Sequence, residues 1–283
     1  MTASDQSMPA APTTNGAPQV RLCAPFGDHM VLQRGRETML CGFVNGAVTA
    51  ETLVHAEVRN AQGRIIARRS TPLSTPQGVS ATAPEQGEQH AWFITMPPIT
   101  RDDPCTVQVW CDGGNETSET ITIEDVVFGE VWLVITDGLE GSSDAAPQGV
   151  RVPQPASSEI TQTSWSQPAT LPDVVAEFVV ALHERTDVPV GLLPASREQA
   201  LQMAPYSVAG VLVAQTDDDE IAAWRQWWDD AAMPVLTAGA GTTGAQLVEQ
   251  AMAEPFVEPN LPMDDAWYER RIPVSEPDAE DLV

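Results

Sequence analysis

Short apolar segments divided by turn residues fill the first half of the chain, and apolar runs alternating with helical periodicity fill the second. Residues 30–33 (MVLQ) and 38–44 (TMLCGFV) flank a charged turn at 34–37 (RGRE). Residues 53–59 (LVHAEVR) alternate apolar with polar, 60–63 (NAQG) form a turn, and 64–68 (RIIAR) return, which predicts a hairpin. Residues 71–89, rich in Pro, Ser, Thr and Gly, read as a long surface loop. Next come 91–96 (AWFITM), stopped by two prolines, then 106–111 (TVQVWC), a turn at 112–115 (DGGN) and 120–123 (TITI). Strands at this spacing predict a β-sandwich-like domain over residues 21–124.

Residues 126–135 are a nearly continuous apolar run, broken only by Gly129 and Glu130, and have the length of a buried strand. Thr136, Asp137 and Gly138 bring turn chemistry to its carboxyl end, where an open α/β sheet places a ligand or nucleophile. Residues 141–166 read as loop, with a short strand at 149–153 (GVRVP) and Trp165 as an anchor. A helix follows over 171–185, its apolar face made by Val174, Val175, Phe178, Val179 and Leu182, and then a strand at 188–193 (VPVGLL). Further strands fall at 208–215 and 234–238, and further helices at 220–230, with Trp224, Trp227 and Trp228, and at 245–253. Helix alternating with strand predicts an α/β domain with a parallel sheet over 125–254. A flexible arm at 1–20 precedes the two domains and an acidic, Pro-rich tail at 255–283 follows them.

Several words of this sequence occur, in order, in one known family. Residues 129–133 (GEVWL) resemble the opening of the first conserved block of the sialate O-acetylesterases, members of the SGNH class of hydrolases. Residues 26–34 (FGDHMVLQR) and 91–98 (AWFITMPP) resemble words of that family's N-terminal β-domain, and 106–130 resemble the strands leading into the block. Gly210, Val211, Leu212 and Gln215 match a later block, and Trp224 with Arg225 matches a Trp-Arg pair. The resemblance covers roughly residues 21 to 230 and implies a shortened, three-layer SGNH-hydrolase-like α/β domain behind a β-domain.

The same resemblance locates what is missing. In the family the strand of the first block runs into Cys-Ser-Gly-Gln-Ser-Asn-Met, whose second serine is the nucleophile; here 134–140 read VITDGLE, which puts Gly138 at that position. The family's Trp-Gly-Gly-Thr loop is replaced by 194–199 (PASREQ), and its Gly-Glu-Ser-Asn by Thr216, Asp217, Asp218 and Asp219. The family draws its histidine from a late segment, whereas the histidines here are His29, His55, His90 and His183. Acyl transfer needs an oxygen nucleophile, an imidazole to take its proton, a carboxylate behind the imidazole and donors for the oxyanion. Thr136, Ser142 and Ser143 are the nearby hydroxyls, expected to be solvated loop groups, and His29 is expected to be structural. Asp137, Gly138 and Gln215 remain as candidate binding residues. The expected function is that of a catalytically degenerate sialate O-acetylesterase-like protein, binding a glycan or assembling with itself or an active paralogue. Two alternatives stay open: an active carbohydrate O-acetylesterase using Ser142 or Ser143, and a purely structural or scaffolding protein.

Charge narrows the partners. Forty acids against fourteen bases, all arginine, give a net charge of −26, which argues against nucleic acid and anionic membrane. Arg64, Arg68 and Arg69 form a basic cluster, expected to be a solvated strand face. No apolar run approaches the roughly 18 residues that span a bilayer, and the first twenty residues lack the pattern of a signal peptide, so a cytoplasmic protein is expected. Cys23, Cys41, Cys105 and Cys111 lack zinc-site spacing and are expected to be free thiols; a Cys23–Cys41 or Cys105–Cys111 disulfide belongs only to an exported protein. The acidic run from Asp217 to Glu220 lacks a calcium-loop pattern and suits a helix N-terminus, and the Gly-rich loop at 239–244 lacks the lysine of a phosphate-binding loop. Neither a metal nor a cofactor is expected.

Overall fold

The structure is a computed structural model that describes residues 18–46, 48–73, 89–113, 117–143, 149–154, 163–200, 203 and 206–253. Residues 1–17 of the expected arm, 74–88 of the expected loop and the whole acidic tail lie outside the described residues. In chain order the first elements are β1 (Gln19–Leu22), β2 (Gly27–Asp28), β3 (Val31–Gln33), β4 (Thr38–Asn45), β5 (Leu53–Asn60), β6 (Ile65–Pro72), β7 (Gln89–Met96), β8 (Cys105–Asp112) and β9 (Ile121–Ile135). They are followed by β10 (Val150–Gln154), β11 (Thr163–Ser166), α1 (Asp173–Thr186), β12 (Val190–Ala195), α2 (Arg197–Ala200), β13 (Gly210–Val213), α3 (Asp218–Trp227), β14 (Val235–Thr237) and α4 (Gly244–Ala253). The fold is mixed α/β: an antiparallel sheet in the order β1-β4-β7, a large mixed sheet with parallel pairs, and, among the described residues, four helices. None of these helices is long and apolar enough to cross a membrane.

The expected hairpin is present: β5 and β6 pair antiparallel, from Leu53 opposite Pro72 to Arg59 opposite Ile65. Arg64, Arg68 and Arg69 are exposed, and Arg68 lies over the Trp110 ring, 5.5 Å from its centre, while reaching the buried Glu57 at 3.4 Å. Helices α1, α3 and α4 and strands β10, β12, β13 and β14 also fall where the periodicity puts them, within two or three residues, whereas β11 and α2 form in stretches read as loop.

Strand β9 is where expectation and structure part. The sequence shows two strands, 120–123 and 126–135, separated by charged Glu124 and Asp125; the structure shows one strand of 15 residues. Cys105 opposes Val126 and Val107 opposes Ile123, so two steps along β8 meet three along β9. That extra residue is a β-bulge, and Asp125 takes it up with φ of 52°. Beyond the bulge the partners change. Residues Val127 to Gly129 run parallel to β3, Glu130 to Ile135 parallel to β12, and Trp132 to Val134 parallel to β13. Segments 27–28 and 31–33 thus leave the N-terminal strands: β2 pairs with β11, and β3 with β9. Gly129 is needed at the crossover, because a Cβ there would fall 2.0 Å from the Pro189 carbonyl oxygen.

Pleating sends alternate side chains of β9 to opposite faces. Val131, Leu133 and Ile135 enter a core with Leu193, Val211, Val213 and Trp224 that continues to Leu40 and Trp92 of the three-stranded sheet. Trp132 and Val134 face the other way, against Phe178, Val179 and Leu182 of α1 and Leu247 of α4. Trp132 meets Phe178 edge-on, ring centres 5.0 Å apart at 81°.

An aromatic joint ties the segment before β3 to the α/β part. Tyr206 stacks on Phe26 at 5.0 Å and on Trp165 at 5.9 Å. Its hydroxyl donates to the Val31 carbonyl at 2.6 Å, and the Trp165 indole donates to the Pro25 carbonyl at 2.8 Å. Trp165 is therefore the expected anchor. Tyr206 is 1% exposed, so losing its hydroxyl strands a buried acceptor. Tyr206→Phe is expected to lower stability by about 1–3 kcal/mol in urea unfolding, whereas an unchanged midpoint would mean that water replaces the bond.

Beside this joint, Gln33 donates to Glu130 at 3.4 Å and accepts the Val131 N–H at 2.8 Å. Burial raises the pKa of Glu130 above the ordinary carboxylate value, and the Gln33 hydrogen bond and the charges of Arg36 and Arg34 offset it only in part. Folded Glu130 therefore keeps its proton to higher pH than the unfolded chain does. The stability this contributes is complete at low pH and is lost as pH rises through the raised pKa. Glu130→Gln removes that loss, so its stability relative to the parent is expected to grow from about pH 4 towards neutrality. Parallel stability–pH curves for the two proteins would contradict this.

Candidate functional site

The parallel run has the order β10-β12-β9-β13-β14. Chain connections leave β9 for β12 on one side and later return to β13 on the other, which makes the carboxyl ends of β9 and β13 a topological switch point. Crevices of this kind hold the ligands of open α/β sheets. Gly138 sits in this crevice, facing Ala214 just beyond β13.

A turn closes the tip of β9. The Leu139 N–H donates to the Thr136 carbonyl at 3.2 Å, and Gly138, third in the turn, has φ of 80°. These are the marks of a type II turn, whose third position requires a left-handed residue. A Cβ on Gly138 would approach that of Ala214 to 3.3 Å. Turn geometry and packing thus both select glycine at the tip of β9. The Thr136 hydroxyl is engaged by the Ala195 carbonyl at 3.3 Å, and that carbonyl also accepts the Thr136 N–H at 3.0 Å.

Charged side chains converge on the same edge. Arg197, at the start of α2, pairs with Glu220 in the first turn of α3, and its guanidinium also donates to the Gln215 carbonyl. The Thr216 hydroxyl donates to the other Glu220 oxygen at 2.8 Å, and an Asp137 oxygen accepts the Arg197 N–H at 2.8 Å. Asp217 caps α3 by accepting the Glu220 N–H at 2.9 Å, as the acidic run predicts for a helix start. Asp137, Gly138 and Gln215 are exposed residues of this edge. Arg197 is the member that sequence reasoning passes over, and Glu220 is read only as part of a helix start: residues 194–199 read as loop, but Pro194 and Ala195 extend β12 and Arg197 opens α2. The signal lay in two opposite charges, each just past the carboxyl end of a strand of the same sheet.

No imidazole reaches this edge. His183 lies at the opposite end of the sheet, its Nδ1 2.9 Å from the Val188 carbonyl oxygen just before β12. His55 stacks on Trp110 at 5.1 Å on the outer face of β5 and β8; burial, followed by the charge of Arg68, lowers its pKa. His90 is buried in β7. His29 belongs to the bulge: its Nδ1 lies 2.9 Å from Asp125 Oδ2, which Arg151 also reaches at 3.0 Å. Arg151 donates at 2.9 Å to the carbonyls of both His29 and Asp125, so the cluster clamps two residues of positive φ. Ser142 is exposed, and Ser143 pairs with Leu171 through backbone bonds of 2.8 and 3.3 Å ahead of α1. None of the hydroxyls at the tip of β9 is within hydrogen-bonding reach of a histidine. Among the described residues, no group of three or more His, Cys, Asp or Glu side chains is arranged to hold a metal ion.

No protein-family model matches this chain, and no curated protein matches it.

Placing a hydroxyl at the tip of β9 is not expected, by itself, to create an esterase. Gly138→Ser forces a side chain into the left-handed region at a cost of about 1 kcal/mol and supplies no base. The expected outcome is a modest fall in the urea midpoint with p-nitrophenyl acetate hydrolysis still at the buffer rate. Hydrolysis above that rate would reveal a proton acceptor at the strand tips.

Proposed function

We propose that this chain is a diverged relative of the sialate O-acetylesterases that has no hydrolase chemistry and serves as a glycan-binding or assembly partner. The finer architecture belongs to the same proposal: a β-sandwich-like part followed by a shortened, three-layer SGNH-hydrolase-like part. Two features support the kinship. Discounting β10, the parallel strands run β12-β9-β13-β14, a 2-1-3-4 order of the doubly wound kind. Apolar clusters cover both faces of that run.

One observation carries the functional reading. The switch-point crevice holds a turn glycine and an Arg197–Glu220 pair where acyl transfer needs an oxygen, an imidazole and a carboxylate. With its guanidinium shared between Glu220 and the Gln215 carbonyl, the crevice is suited to polar recognition through Asp137 and Gln215. A sugar hydroxyl or a protein loop could use those groups without any covalent step. Strong negative charge disfavours nucleic acid and anionic lipid as partners, and four free cysteines fit a reducing compartment such as the cytoplasm.

The test offers the protein p-nitrophenyl acetate and O-acetylated sialic acid, with calorimetric titration of the same sugar and size-exclusion chromatography alongside. The expected result is no turnover, with either heat of sugar binding or a defined oligomer. Robust turnover abolished by a serine-reactive reagent would refute the proposal.

A further inference from the structure

Two cysteines stand apart from the strand-tip site. Cys23 follows β1 directly, and the β1–β4 register, with Leu22 opposite Gly42, places it opposite Cys41. The Cys23 N–H donates to the Cys41 carbonyl at 3.0 Å, so the two form a directly opposed antiparallel pair. Such residues have Cα atoms about 5.5 Å apart, within the roughly 4.4–6.8 Å that a disulfide spans. Opposed residues also project their side chains to the same face of a sheet. Cys41 is buried, whereas Cys23 is only partly covered. The neighbouring Cys41 thiol lowers the Cys23 pKa to about 7 against the opposing effect of burial, and the same contact together with burial pushes Cys41 up. An accessible thiol of thiolate character beside a buried second thiol is the arrangement of a reactive cysteine with its resolving partner.

The other two cysteines lack this arrangement. Cys105 and Cys111 occupy a single strand, β8, six residues apart. At about 3.3 Å per residue their separation is roughly 20 Å, far beyond a disulfide. The Cys105–Cys111 pairing considered from sequence is therefore excluded. Burial pushes both thiols up, Cys111 to about 11, which leaves little thiolate at neutral pH.

We propose that Cys23 and Cys41 form a reversible dithiol–disulfide modification site that reacts with low-molecular-weight disulfides such as oxidised glutathione. The Cys23 thiolate attacks one sulfur of the glutathione disulfide, forming a Cys23–glutathione mixed disulfide and releasing one glutathione thiolate. Cys41 gives its proton to solvent and attacks the Cys23 sulfur, forming the Cys23–Cys41 bond and releasing the second glutathione. Two protein thiols are oxidised, one glutathione disulfide is reduced to two thiols, and the protons end on the released glutathiones. The new bond closes the loop of residues 24–40 and fixes the turn whose Pro25 carbonyl receives the Trp165 indole. This inference does not rest on the proposed function.

The experiment treats the full, reduced chain with oxidised glutathione in native buffer, then counts thiols and maps peptides without reduction. The expected result is loss of two of the four thiols, a Cys23–Cys41 linked peptide, a raised melting temperature and full reversal by dithiothreitol. Cys41→Ser is expected to stop at one glutathione on Cys23, and Cys23→Ser to take up none. Retention of four thiols by the parent, a stable glutathione adduct on it, or a link through Cys105 or Cys111 would overturn the proposal. The parent's peptide map decides the matter even if a variant fails to fold.

Discussion

Hydrogen bonding along β9 is the constraint on which the other elements depend. A buried strand must satisfy its N–H and C=O groups on both sides. Strand β9 does so by changing partners: β8 as far as Val126, then β3, then β12 and β13 together. The bulge at Asp125 permits this change, since one extra residue re-aims the strand and ends its pairing with β8. Its positive φ is held by Arg151, which bonds the carbonyls on either side of the His29–Asp125 contact. The charged cluster therefore maintains a backbone bend, a role that accounts for His29 without any chemistry.

At the other end of β9, local backbone demands and chemistry point the same way. A type II turn needs a left-handed residue, and glycine supplies it at the one position where a nucleophile would be presented. The Arg197–Glu220 pair then occupies the neighbouring loops. Partly exposed pairs of this kind contribute little to stability, on the order of 0–1 kcal/mol. Their consequence is geometric: they fill the edge of the crevice with groups already bonded to one another, and any ligand must compete with those bonds or use the groups left over.

Much of this was legible in the sequence, for definite reasons. The helix at Asp173 and the strands at Val190, Gly210 and Val235 carry apolar periodicity strong enough to locate them. The hairpin of β5 and β6 carries its own turn signal. The unity of β9 was not legible, because Glu124 and Asp125 look like a break when nothing reveals that a bulge absorbs them. Nor was the pairing of β2 with β11 and of β3 with the second half of β9, since strand partners are set by tertiary packing and not by local pattern. For the candidate site, Asp137, Gly138 and Gln215 followed from the rule that carboxyl ends of strands form the crevice. The Arg197–Glu220 pairing did not, because a contact across 23 positions has no local signature.

The path of β9 also bears on how such a chain can be rearranged in evolution. A gene fragment ending near residue 124 would leave β8 with half a neighbour and deprive β2 and β3 of theirs, while the fragment beginning there would lose β3 and the Phe26–Tyr206 contact. Neither piece could be shuffled into another protein as a self-sufficient module. Recombination can preserve this fold only by carrying both halves together.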